Sequence, residues 1–343
     1  MLVTSLLVRH FRCFTEQAVE FTRPLTAIVG PNGSGKTSLI EALHYACYAR
    51  SFKTHLSQEI IQWEQPGFFV QVAGDTTENE PWELRFTVTP TKKLIRSHER
   101  TLTGFAQLFD YYRAISIVED SLLLIRGQPS DRRAFIDHGL FLQDPSCLKE
   151  LQQYKKIIRQ RNALLGHREP NRTLYDIWTE QLQTQSERVR QLRLDLFEKL
   201  TGLVNEMLTE CNAKHRQIIC RYEPVVFREQ LYDREWRMQR SLWGAHLDEI
   251  VLVYKDQQAR AYASRGQQKL LLVLFKIAQL RLLGKPALLL IDDFFTDLDE
   301  AAIGDILHIL TRYASQVIVT VPQQTHLLNI LAQWSPQIVV PSA

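Results

Sequence analysis

The residues Gly30-Pro31-Asn32-Gly33-Ser34-Gly35-Lys36-Thr37 follow the pattern G-x-x-x-x-G-K-[ST]. They lie between an apolar run, Leu25 to Val29, and a helix-forming stretch that begins Thr37-Ser38-Leu39-Ile40-Glu41-Ala42. A strand, a glycine-rich bend and a helix in that order are what a phosphate loop needs. Glycines let the backbone turn its N–H groups inward, and the helix start adds the positive end of its dipole. Gly30 to Ser38 is therefore the candidate binding segment for ATP. Lys36 is expected to reach the β- and γ-phosphates, and the Thr37 hydroxyl to ligate Mg²⁺, an ion that takes oxygen ligands. A second apolar run, Ala287 to Ile291, ends in Asp292-Asp293. A buried parallel strand that ends in carboxylates presents them to a ligand at the sheet's C-terminal edge. Asp292 is the candidate metal ligand. Asp293, one residue on, is the candidate catalytic group that orients or deprotonates a water. Paired aspartates also end strands in ordinary solvated loops, so the pair gains its weight from the phosphate loop. Thr296-Asp297-Leu298-Asp299 follows shortly after.

Between these motifs stands Ser264-Arg265-Gly266-Gln267-Gln268-Lys269, directly before an apolar helix pattern. Taken alone, it is an ordinary helix cap. With Gly266 leaving the first N–H groups open, it is also a second anion site, for which one nucleotide in one chain has no use. Phosphate loop, long insertion, Ser-x-Gly-Gln signature and double-acid strand, in that order, make the arrangement of ABC-type ATPases. In that arrangement Ser264, Gly266 and Gln267 serve a nucleotide held by a second copy, so a homodimer formed on ATP is expected.

Short β-type runs are expected at Leu2 to Val8, Leu25 to Val29, Phe68 to Val72, Trp82 to Thr89 and Ile115 to Val118, with one helix from about Lys36. From Pro145 to Leu165 the apolar spacing becomes that of one helix face. Gly166 to Asn171 reads as a turn, and Leu182, Val189, Leu196 and Leu203 then repeat every seven residues, predicting a second long helix antiparallel to the first. Strands return at Ile250 to Tyr254, Ala287 to Ile291 and Val317 to Val321, with a helix at Gln267 to Leu282. The expected fold is α/β: an ABC-type P-loop ATPase head, residues 1–128 and 240–343, with a helical arm domain, 129–239, inserted between.

Composition agrees with a soluble globular protein, at 45% hydrophobic and 23% charged residues with a formal charge of +3. Five scattered cysteines without a C-x-x-C pair suggest neither a disulfide framework nor a zinc site and fit a reducing, cytoplasmic setting. No segment reaches the ~20 apolar residues of a membrane span, so no membrane partner is expected. Lys155, Lys156, Arg159, Arg161, Arg168 and Arg172, with Glu169 the only acid among them, form a basic stripe that suits DNA phosphates. Arg216, Arg221, Arg228, Arg234, Arg237 and Arg240 follow later. A solvated helix face is the plainer reading of any one of them.

These motifs together resemble the RecF family of DNA replication and repair proteins over most of the chain. Beyond the phosphate loop, Arg50-Ser51-Phe52-Lys53 is similar to a family element that follows the P-loop helix. Gly127-Gln128-Pro129-Ser130-Asp131-Arg132-Arg133-Ala134-Phe135-Ile136-Asp137 resembles the family's Gly-x-Pro-x-x-Arg-Arg-x-Phe-Leu-Asp segment, and Arg159-Gln160-Arg161-Asn162-Ala163-Leu164-Leu165 resembles the end of its first arm helix. Ser264 to Lys269 and Asp292-Asp293 fit as well. The chain departs from the pattern at Gly244-Ala245-His246-Leu247-Asp248-Glu249, where the family carries Gly-Pro-His-Arg-Asp-Asp, and at Val118-Glu119-Asp120, where it carries Pro-Glu-Asp. The resemblance implies weak, DNA-stimulated ATP hydrolysis that serves as a release clock, dimerisation on single-stranded or gapped DNA, and gap repair through RecO, RecR and RecA loading. The rival from another class is the energy-coupling ATPase of a transporter, against which the Gly-x-Pro-x-x-Arg-Arg segment and the Asp-Asp pair speak. A P-loop kinase leaves the signature and the arm unexplained.

Overall fold

Alternating apolar residues open the chain in β-structure. In the computed structural model, residues 2–342 are described except 77, 79, 99, 103–106, 109, 110, 112, 168–170, 211–216, 285, 286, 296, 297, 299, 324 and 325. Strand β1 (Leu2–Phe11) carries a register shift between Val3 and Ser5 that brings Val3, Leu6 and Val8 to the buried face. It pairs antiparallel with β2 (Phe14–Glu20), after which β3 (Leu25–Gly30) leaves for a second sheet and runs into helix α1 (Lys36–Tyr48). Strands β4 (Phe68–Asp75), β5 (Pro81–Val88), β6 (Lys93–Ser97) and β7 (Arg100–Thr101) complete an antiparallel sheet of order β2-β1-β4-β5-β6-β7. In β4, Phe68, Val70 and Val72 are buried while the residues between them are less so, the period of a sheet with one face on the core. Strand β8 (Ala114–Ile117) closes this half of the chain.

Helices α2 (Leu123–Arg126), α3 (Pro129–Gln143), α4 (Cys147–Leu165) and α5 (Arg172–Glu210) follow. The Gly-x-Pro segment, to which the sequence reading gave no element, is α3: Pro129 takes its first turn, and the Asp131 carboxylate accepts from the Gln128 N–H at 2.7 Å. Helices α4 and α5 are antiparallel. Leu151, Tyr154 and Ile157 pack with Leu182 and Val189, and Leu164 and Leu165 pack with Tyr175 nearer the turn. Then come β9 (Ile218–Glu223), α6 (Tyr232–Met238), β10 (Glu249–Tyr254), β11 (Gln257–Gln258), α7 (Ala259–Tyr262) and α8 (Arg265–Leu283), with β10 pairing antiparallel to both β9 and β11.

The chain returns as β12 (Leu288–Ile291), α9 (Glu300–Tyr313), β13 (Gln316–Pro322), α10 (His326–Ala332) and β14 (Gln337–Val339). All sheet partners here are parallel, in the order β14-β3-β13-β12-β8. Every residue of β3 and β12 is buried, which is why these strands read as unbroken apolar runs.

Two compact units result, Met1–Ser121 with Leu283–Ala343, and Leu122–Leu282. The segment 240–282, which the sequence reading placed with the head, belongs to the second unit. Its bonds explain this: Asp248 is wholly buried and accepts from Arg190 at 2.8 and 3.1 Å, from the Tyr222 hydroxyl at 2.8 Å and from the Val225 N–H at 2.8 Å. The two arginines of α3 join in, Arg132 bonding Glu249 at 2.6 Å and Arg133 the Asp248 carbonyl at 2.6 Å. Asp137 receives Arg193 at 2.8 Å. The family-like segments 127–137 and 244–249 thus form one polar clasp. His246 faces the Tyr154 hydroxyl at 2.9 Å, and burial first, then the Arg133 charge, push its imidazole down to about 4. Leu247, at the place of the missing arginine, is exposed.

The basic stripe is a mixed set. Lys155, Lys156 and Arg159 are exposed, whereas Arg161 is fully buried and cannot meet a phosphate. Its guanidinium holds Glu235 through bonds of 2.7 and 3.0 Å, donates to Ser241 and Thr179, and lies over the Tyr175 and Trp243 rings. Arg172 is engaged by Asp176 and by the Tyr232 ring. Arg168, Glu169, Arg216, Thr296, Asp297 and Asp299 lie outside the described residues. Because removal of Arg161 strands the wholly buried Glu235, Arg161→Ala is expected to cost about 3–5 kcal/mol of unfolding free energy in a denaturant titration. Arg159→Ala should leave stability within roughly 0.5 kcal/mol. Equal effects from the two would contradict this placement.

Candidate nucleotide site

The C-terminal ends of β3 and β12 open on one cleft of about 610 Å³, with Arg12, Asn32, Gly33, Lys36, Thr37, Ser38, Lys53, Asp292, Asp293 and Thr320 among its lining residues. All described residues of its wall belong to the first unit. Parallel sheets place ligands at this edge because the strands all end there and the following helices begin there.

The loop's shape follows from its glycines. Gly33 and Gly35 hold φ of +84° and +86°, left-handed conformations that a side chain resists. They differ in surroundings. A Cβ on Gly35 would stand 2.2 Å from Phe14 Cζ and 2.9 Å from Cys13 Sγ, while one on Gly33 would meet none of the described residues within 4 Å. Lys36 Nζ donates to the carbonyls of Gly30 and Pro31, both at 2.8 Å, and so rests against the loop it begins beneath. The Ser34 hydroxyl is buried in the loop and has no hydrogen-bond partner among the described residues.

Thr37 and Asp292, 255 positions apart, meet directly: the Thr37 hydroxyl donates to Asp292 Oδ1 at 2.9 Å. Thr320 Oγ1 donates to the same oxygen at 2.9 Å and accepts from the Asp293 N–H at 2.7 Å. Burial raises the Asp292 carboxyl above the ordinary range, opposed by these two hydroxyls. A carboxylate, a threonine hydroxyl and an adjacent lysine are hard oxygen donors and a cation in the combination that suits Mg²⁺ beside a phosphate.

A second network shores up α1. Arg12 grips the wholly buried Glu41 through bonds of 2.6 and 2.9 Å, and the Ser51 hydroxyl donates to the same carboxylate. Ser51 Oγ in turn accepts from the N–H groups of Lys53 and Thr54 at 2.8 and 3.2 Å. The family-like Arg50-Ser51-Phe52-Lys53 element is thereby tied to the P-loop helix, with Lys53 in the cleft wall. Sequence reasoning assigned no role to Arg12, Lys53 or Thr320. A hydroxyl in the otherwise apolar run of β13 was the available signal for Thr320.

Ser264, Gly266 and Gln267 belong to the second unit. The Ser264 hydroxyl accepts from the Gln267 N–H at 3.3 Å while the Gln267 side chain accepts from the Ser264 N–H at 3.1 Å, a reciprocal cap at the start of α8. Ser264 is exposed.

Fold and loop together define a P-loop ATPase head of the ABC and SMC class. A family model described as an AAA domain matches residues 5–218. The fold superposes on a solved structure of the recombination mediator protein RecF of the RecFOR pathway with a TM-score of 0.80, at 21% identity, covering 94% of this chain and 93% of that one. An Smc head domain from Pyrococcus furiosus follows with a TM-score of 0.59, at 16% identity, covering 96% and 91%. The chain belongs to the RecF family of DNA replication and repair proteins: it is 31% identical to the RecF of Thermosynechococcus vestitus over 98% of this chain and 94% of that protein. It is also 28% identical to the RecF of Halalkalibacterium halodurans, covering 93% and 92%. The transporter reading is set aside. Among the described residues no helix is long and apolar enough to cross a membrane.

Gly33→Ala is expected to cost roughly 1–2 kcal/mol of stability, the price of a left-handed alanine. Gly35→Ala should cost more by denaturant titration, since Phe14 must also move. Equal losses would show that the close approach to Phe14 is not what holds this bend.

Proposed function

We propose that the cleft binds ATP with Mg²⁺, that a second copy of the chain completes the site, and that the resulting dimer acts on DNA in recombinational repair. The observation that carries the reading is the bond between Thr37 and Asp292, which brings a phosphate-loop hydroxyl and a strand-end acid to one point. One solved RecF is described in complex with ATP, and both RecF structures are placed in the RecFOR pathway, which supports the nucleotide and suggests RecO- and RecR-type mediators as partners.

On this reading the N–H groups of residues 33–37 and Lys36 receive the phosphates. Lys36 exchanges two carbonyl acceptors for phosphate oxygens, keeping charge-assisted bonds throughout. Thr37 and Asp292 would hold Mg²⁺, which supplies charge neutralisation at the phosphates. Asp293 orients the attacking water and takes its proton. Hydrolysis is slow and ends the DNA-bound state.

Ser264 accepts a backbone bond as a cap, which leaves its own hydroxyl proton to donate outward to a γ-phosphate held by the opposed copy. Gly266 keeps the helix start open beside it. Lys155, Lys156 and Arg159 are the arm residues proposed to neutralise DNA phosphates.

The test is complementation. Lys36→Ala and Ser264→Arg should each be nearly inactive in ATP hydrolysis, the first for loss of tight ATP binding, the second while still binding ATP. Mixed in equal amounts they should recover part of wild-type turnover, at most about half, because ATP can hold together only the mixed pair and each mixed dimer has one intact site of two. Normal hydrolysis by Ser264→Arg, or no recovery on mixing, would contradict the shared site.

A further inference from the structure

We infer that Thr320 is a positioning residue for ATP hydrolysis, setting both acids of the cleft through one hydroxyl; the inference rests on the ATPase reading above.

Strand β13 reads Gln316-Val317-Ile318-Val319-Thr320-Val321-Pro322, and its residues from Gln316 to Val321 are buried. A valine at 320 would fit such a strand at least as well, since β-branched apolar residues favour it and a buried hydroxyl costs free energy unless bonded. The hydroxyl therefore needs a reason in its bonds. Register supplies the place: Val319 pairs with Ile291, so Thr320 stands beside Asp292, and Val321 pairs with Val29, so the same strand flanks the approach to the phosphate loop.

Thr320 Oγ1 uses both of its capacities. It donates to Asp292 Oδ1 at 2.9 Å and accepts from the Asp293 N–H at 2.7 Å. Asp293 needs that restraint, because its φ of +45° lies in the left-handed region where a non-glycine residue pays on the order of 1 kcal/mol. Without the acceptor, a relaxed Asp293 backbone would re-aim its carboxylate. Asp292 Oδ1 also receives the Thr37 hydroxyl, but Thr37 is the residue assigned to the metal shell. Thr320 has no such duty, and it fixes Asp292 whichever way Thr37 turns. One buried hydroxyl thus couples the acid assigned to the metal with the acid assigned to the water. The signal is local to the sheet, not to either motif.

The experiment compares wild type, Thr320→Val, Thr320→Ser and Asp293→Asn for turnover, for affinity toward a slowly hydrolysed ATP analogue, and for the Mg²⁺ concentration that half-saturates analogue binding. Thr320→Val should bind the analogue without Mg²⁺ within about threefold of wild type, need more Mg²⁺ to saturate, and lose at least about tenfold in turnover, part of what a displaced acid–base group costs. Thr320→Ser, which restores the hydroxyl, should recover turnover and Mg²⁺ dependence to within about threefold of wild type. Should the valine variant fail to fold, Thr320→Ala carries the same expectation. Wild-type turnover in Thr320→Val, or a serine variant no better than valine, overturns the inference while leaving the ATPase reading in place, provided Asp293→Asn is slowed. A wild-type chain that does not hydrolyse ATP, or an Asp293→Asn chain as fast as wild type, overturns both.

Discussion

One constraint governs the cleft: strands β3 and β12 carry its two motifs, and β13 alone separates them in a sheet whose members all run the same way. Parallel order puts the phosphate loop and the acid pair at one edge without any long-range guidance from side chains. The spacing is then closed by short bonds. Thr37 reaches across to Asp292, and Thr320, from the strand between, bonds Asp292 and the backbone of Asp293. Remove the parallel order and the motifs survive as sequences but not as a site.

The second unit obeys a different rule, in which buried charges are kept by opposite charges. Arg161 with Glu235, Arg190 with Asp248 and Arg193 with Asp137 each join segments distant in sequence, and Glu235 and Asp248 accept further hydrogen bonds from Tyr175 and Leu242 and from Tyr222 and Val225. Such pairs add little net stability over apolar packing, but breaking one is costly, so they act as fixed points for the long helices. This is why α3, with its two arginines, and the segment 244–249 hold together, and why the strand leading toward the signature belongs with the arm helices.

How far the sequence spoke depended on whether the signal was local. Leu25 to Val29 and Ala287 to Ile291 were legible as buried strands because parallel strands covered on both faces are apolar throughout, and α5 because Leu182, Val189, Leu196 and Leu203 repeat every seven residues, the first three buried and Leu203 half-buried. The phosphate loop was legible because its chemistry is consecutive. What escaped depends on partners far along the chain. Arg161 looked like a surface cation in a basic stripe, and only Glu235, 74 positions on, makes it a buried one. Glu41 and Arg12 find each other across 29 positions, and Thr320 meets Asp292 only through strand order that no periodicity encodes.

The proposed joining of two copies of the chain by nucleotide rests on the order of phosphate loop, Ser264 signature and acid pair along the sequence. The most direct measurement is sedimentation velocity of the Asp293→Asn chain, which on the proposed role of Asp293 should hydrolyse slowly and accumulate bound to ATP. With Mg²⁺ and ATP the chain should sediment as one species of twice the monomer mass, and without nucleotide, or with Ser264→Arg added, as the monomer. A chain that stays monomeric at saturating Mg²⁺ and ATP would contradict the account.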